Sequence, residues 1–151
     1  MAGALCLLAG LLSACGKEPV SIDQVTISAA DEARCVALVS SLPATLDGQN
    51  RRKVAPAAAL GAAWGDPAIV LTCGGPDTVP RGAACQLVDG VGWYVPEGAF
   101  ADQSLALDMT TIGLRPVVHL HVPAAYRPPP AILVPLAPLL TRTLKKTTGC
   151  Q

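Results

Sequence analysis

Hydrophobic and polar positions recur along this chain with two periods, and each period marks a kind of element. Cys35, Leu38, Val39 and Leu42 fall at i, i+3, i+4 and i+7, one face of a helix. Ser28, three residues before Asp31, gives a capping-box-like start, and Pro43 ends the helix. Period two governs the centre of the chain. Ala68–Cys73 reads as a near-continuous apolar strand covered on both faces. Cys85–Val88 and Val91–Val95 flank Asp89-Gly90, which supplies the positive φ values of a type I′ hairpin turn. Leu105, Leu107 and Met109 alternate with Ala106, Asp108 and Thr110; Val118, Leu120 and Val122 alternate with Val117, His119 and His121.

Between these elements the pattern loosens. Asp47-Gly48 begins a polar loop through Arg51-Arg52-Lys53, and Ala57–Trp64 fits either a short helix or the approach to the next strand. Ala131–Leu140 is strongly apolar but too short to span a bilayer. Pro135 and Pro138 share one helix only if it starts near Pro135, because amides of a first turn have no intrahelical partner to lose. Leu136, Leu139, Leu140 and Leu144 then form its apolar stripe, Lys145 and Lys146 meet the negative end of its dipole, and Gly149 caps it. The order helix, strands, helix predicts an α+β fold: an antiparallel β-meander of four to five strands, with N-terminal and C-terminal helices packed on one face.

The first fifteen residues change where this domain is expected. Ala4–Leu12 has the length of a secretory leader's apolar core, and Leu12-Ser13-Ala14-Cys15 has the small residues and thiol of a lipoprotein cleavage site. Cys15 is the expected lipidation site, and two acyl chains hold a protein on a membrane where one does so only marginally. No Lys or Arg precedes the apolar core, which points to a start codon upstream of Met1. The expected organisation is a signal peptide at 1–14, a lipidated tether at 15–27 and a single domain at 28–151. The location is the extracytoplasmic face of the cell membrane.

Cysteine arithmetic follows. Of six Cys, Cys6 leaves with the leader and Cys15 takes lipid, so Cys35, Cys73, Cys85 and Cys150 remain for two disulfides. Three pairings are open. Cys73–Cys85 is favoured because the two flank a turn-rich segment, which leaves Cys35–Cys150. Zinc is disfavoured, since there is no CxxC pair. Eleven basic and eleven acidic residues cancel, which argues against nucleic acid as a partner.

Candidate chemistry is sparse. His119 and His121 share one face of a strand, with Asp108 the natural third metal ligand. Trp64 and Trp93 are candidates to line a ligand groove, although a chain so poor in aromatics needs them for packing. No nucleophile elbow, His-Glu-x-x-His or phosphate-cradling Gly loop is present, and once the thiols are assigned none remains for nucleophilic chemistry. No catalytic residue, metal or cofactor is therefore expected.

The segment Ala62-Ala63-Trp64-Gly65-Asp66-Pro67-Ala68-Ile69-Val70-Leu71-Thr72-Cys73-Gly74 resembles the actinobacterial lipoproteins grouped as domain-of-unknown-function family 3515. Cys35 followed by Leu42-Pro43, Val91-Gly92-Trp93, and the strand after Arg115 ending at Val122-Pro123 extend the resemblance over most of the mature chain. Thr72 stands where a basic residue is expected before the Cys. The resemblance implies an envelope location and carries no activity. The expectation is a non-catalytic interaction or scaffold module of the cell envelope, with an unidentified envelope protein as partner. The alternatives are a small-ligand-binding lipoprotein and, behind it, a metal-dependent hydrolase using His119 and His121.

Overall fold

The computed structural model describes residues 17–150; the expected leader and Cys15 lie outside them. In chain order the elements are β1 (Val20–Ser21), α1 (Ala29–Ser41), β2 (Thr45–Leu46), β3 (Gln49–Arg52), β4 (Val54–Ala55), β5 (Gly61–Trp64), β6 (Ile69–Cys73), β7 (Gln86–Val88), β8 (Val91–Tyr94), α2 (Glu97–Ala101), β9 (Leu107–Ile112), β10 (Leu114–Arg115), β11 (Val118–Val122), a 3-10 turn at Ala124–Tyr126, α3 (Pro130–Thr143) and β12 (Lys145–Lys146). The predicted α+β class holds, but the sheet is larger than predicted. Eight antiparallel strands are ordered β2-β3-β5-β6-β11-β9-β8-β7. Because β11 inserts between β6 and β9, the chain does not form a simple meander.

The two periods assign the two faces. Ile69, Leu71 and Cys73 of β6 and Val118, Leu120 and Val122 of β11 point into the core, where they meet Cys35 and Leu38 of α1 and Ile132, Leu133, Leu136, Ala137 and Leu140 of α3. The intervening Val70, Thr72, His119 and His121 face the wetter side. Helix α1 starts where its cap predicts: the Asp31 N–H donates to Ser28 Oγ at 3.2 Å, and Asp31 and Glu32 lie at the positive end of the dipole.

Several local expectations are corrected. Asp47-Gly48 is a hairpin turn between β2 and β3 rather than the start of a loop, with φ of 48° and 70°, matching 48° and 83° at Asp89-Gly90. Ala57–Trp64 resolves as strand β5 over Gly61–Trp64, all four residues buried. Helix α3 begins at Pro130 with both Pro135 and Pro138 inside it. The carbonyls these prolines leave free belong to Ala131 and Val134, which are exposed, as are the prolines themselves. That face is open to solvent, which can take the place of the lost intrahelical donors, so the helix need not start later. Leu144, not Gly149, ends the helix, and Lys145–Lys146 pair with Leu114–Arg115 as a two-stranded ribbon instead of continuing the helix.

The disulfides are Cys35–Cys73 and Cys85–Cys150, so the expected Cys73–Cys85 and Cys35–Cys150 pairing is wrong. Cys73 points into the core from β6, directly under Cys35 of α1, with Cα atoms 5.5 Å apart. Cys85 precedes the edge strand β7, where the returning C-terminus reaches it. Proximity in sequence was a poor guide because β6 and β7 sit at different places in the sheet.

Residues 17–27, expected to be tether, lie against the domain. Val20 and Ser21 pair in parallel with Val54 and Ala55, and Ile22 is buried. The apolar Val20 and Ile22 explain this, since a free tether would leave them in water. The basic cluster is likewise structural in part: Arg51 donates to the carbonyls of Leu42 and Val39, and Arg52 to those of Gly65 and Glu18.

Candidate functional site

The wetter face of the sheet carries the chain's only histidines. Register places His119 opposite Thr110 on β9 and Thr72 on β6, and His121 opposite Asp108 and Val70. Tyr94 of β8 lies beyond Thr110. With Thr78 and Pro96 from flanking loops, these residues line an open cleft of about 390 Å3.

Two polar units occupy it. Asp108 Oδ1 lies 2.7 Å from His121 Nδ1, an arrangement in which Nδ1–H donates to the carboxylate. Both side chains are exposed, at 43 % and 76 %, so water screens the pair and its strength is small. The second unit is a chain in which Thr78 Oγ1 lies 3.3 Å from Thr110 Oγ1, itself 3.1 Å from His119 Nδ1. Thr110 is buried, and His119 Nε2 is buried without a hydrogen-bond partner.

This geometry limits the chemistry. A hydroxyl activated by imidazole needs a third group orienting the ring, yet the carboxylate serves His121 and the hydroxyl serves His119. The two halves of such a device are present on different rings. Among the described residues, no group of three or more His, Cys, Asp and Glu gathers to hold a metal ion. Asp108 therefore joins His121 rather than completing a metal triad with both histidines.

The tryptophans lie elsewhere. Trp64 and Trp93 are fully buried core residues, so neither lines a groove. Trp64 Nε1–H donates to the Pro43 carbonyl at 3.0 Å, and the Arg51 guanidinium sits 5.6 Å over its ring. Trp93 Nε1 is buried without a partner. Packing explains both, in a chain whose aromatic content is 3 %. Thr110 was legible in the alternation of β9, whereas Thr78 and Tyr94 reach the cleft through register and a loop that no local pattern announces.

Away from the histidines, an apolar cleft of about 260 Å3 lies between Phe100, Val95, Met109 and Leu133, with Arg127 at its border. Arg127 donates to the carbonyls of Asp102 and Leu105, and so pins the loop that follows α2.

These features define a disulfide-stapled, two-layer α+β domain whose polar face offers hydrogen-bonding groups. No helix of the described residues is long and apolar enough to cross a membrane. The chain belongs to the family described as protein of unknown function (DUF3515), whose model matches residues 1–148. Comparison with curated proteins and with solved structures finds no match.

Proposed function

We propose that this chain is an extracytoplasmic lipoprotein, held on the cell membrane by lipid on Cys15, whose domain serves as a non-catalytic interaction or scaffold module of the envelope. One observation carries the reading: all four cysteines of the described residues are joined in disulfides, the usage of an oxidising compartment. The Leu12-Ser13-Ala14-Cys15 motif and the resemblance to actinobacterial lipoproteins support the same address. Feeding cells an alkyne fatty acid tests it. The wild-type chain takes up label and C15A does not; an unlabelled wild type, or equal labelling of C15A, refutes the anchor.

The histidine cleft favours a second reading, a small polar ligand held by hydroxyl and imidazole groups. Titrating the small-molecule fraction of a cell extract into the labelled protein then shifts the imidazole resonances of His119 and His121. Unmoved resonances dismiss it.

A further inference from the structure

The entry of the chain into the domain is tied down from its first described residues. Lys17 Nζ reaches Asp66 Oδ2 at 2.9 Å, and Arg52 Nη2 donates to the Glu18 carbonyl at 2.7 Å. Val20 N–H donates to the Lys53 carbonyl and Ile22 N–H to that of Ala55, each at 2.9 Å, and Ile22 is only 4 % exposed. The Lys17–Asp66 pair alone is weak, being solvent-exposed. The backbone bonds and the buried isoleucine hold the segment.

This strap enters at one end of the sheet. The turn between β5 and β6 contains Asp66, and beside it the Gly65 N–H donates to the Asn50 carbonyl at 3.1 Å. The other end carries Cys73, where β6 finishes, and the β10–β12 ribbon, tied back through Arg115 to Asp77. Only Gly16 separates Cys15 from Lys17. Two extended residues reach about 7 Å, and with the Lys17 pair open the bond at Val20 still limits the reach to about 18 Å. A free tether to residue 27 would reach about 43 Å.

Building on the lipid-anchor reading, we infer that the domain stands directly on the bilayer. The surface around Lys17, Asn50 and Asp66 faces the phospholipid headgroups, and the β10–β12 ribbon points away. Val70, which pairs with His121, is four residues beyond Asp66; at the rise of a strand this places the His121 edge of the cleft within about 13 Å of the membrane-facing end. Whatever enters that cleft meets it close to headgroup height.

The test uses the full lipidated chain in phosphatidylcholine–phosphatidylglycerol vesicles that carry a nitroxide on the headgroup. A fluorophore is attached at N50C or at K146C after the native disulfides have closed. Quenching is several-fold stronger at residue 50 than at residue 146, and a Gly/Ser spacer inserted between Gly16 and Lys17 removes the difference. Equal quenching at the two positions, in protein whose intact mass includes the lipid, overturns the standing orientation alone. An intact mass without lipid overturns both this proposal and the anchor it rests on. Hydrogen exchange gives a readout without substitutions: the amides of Val20 and Ile22 exchange slowly in the lipidated chain, and free-chain rates there overturn the proposal.

Discussion

Removing the Cys35–Cys73 bridge tests the fold most sharply. The bridge closes a loop with a sequence separation of 38 residues, and on the chain-entropy model such a loop contributes about 4 kcal/mol. Both sulfurs are in the core, at 0 % and 1 % exposure, so C35A/C73A also empties packed volume between α1 and β6. That adds about 1 kcal/mol, for a total of about 5 kcal/mol against the 5–15 kcal/mol typical of a whole domain. Urea unfolding followed by the fluorescence of Trp64 and Trp93 measures the loss as a lower midpoint, with a steeper transition because the uncrosslinked chain exposes more surface. The Cys85–Cys150 bridge spans 65 residues, so C85A/C150A loses a similar amount, about 4 kcal/mol from chain entropy. Had Cys73 paired with Cys85, C35A/C73A would free two thiols at 85 and 150. Thiol titration of the C35A/C73A domain therefore reads zero at those positions. Two reactive thiols there, or a loss below about 1 kcal/mol, would refute the reasoning.

Other substitutions probe single interactions. Thr111 is 1 % exposed and its Oγ1 accepts from the Val118 N–H at 2.9 Å; T111V keeps the shape but orphans that amide, costing about 1–3 kcal/mol by chemical denaturation. W64F loses ring volume and strands the Pro43 carbonyl, whereas W93F loses volume and also removes an unpartnered N–H. The first is the more destabilising in the same assay, by about 1 kcal/mol, and the opposite order would show that the indole N–H of Trp64 is dispensable. The hydrogen bond from Lys17, and then its charge, hold Asp66 below the ordinary carboxylate value of 3.8. The stabilisation linked to this group is thus complete above that value and is lost as pH falls through the lower folded one. Carboxyl NMR titration places the Asp66 midpoint below 3.8, and K17M raises it; an unmoved midpoint would remove Lys17 as the cause.

Elements with a local physical signature were legible in the sequence. Ser28 and the Cys35–Leu42 stripe gave α1, and Asp89-Gly90 between apolar arms gave the β7–β8 hairpin. The same dipeptide at Asp47-Gly48 went unread because the following arm, Gln49-Asn50-Arg51-Arg52, is a polar strand near the sheet edge with little alternation. Strand β5 was ambiguous for the opposite reason: Gly61-Ala62-Ala63-Trp64 is buried throughout, so period two has nothing polar to register. Of the site, the shared face of His119 and His121 and the nearness of Asp108 follow from alternation. The split between an Asp–His pair and a Thr–Thr–His chain does not, because it depends on cross-strand register and on where Thr78 lands. Disulfide pairing was illegible for the same reason, since it is decided by which strand lies beneath α1.

The cysteines also pair in the order in which they occur, first with second and third with fourth. On the export route proposed above, which threads the chain N-terminus first through a membrane pore, Cys73 emerges when Cys35 is the only other domain cysteine outside. The Cys35–Cys73 bridge can close before Cys85 and Cys150 arrive, and once it has closed those two are the domain cysteines left to pair. On that route the order of emergence itself favours the native pairing, with no rearrangement of a first, wrong bridge required.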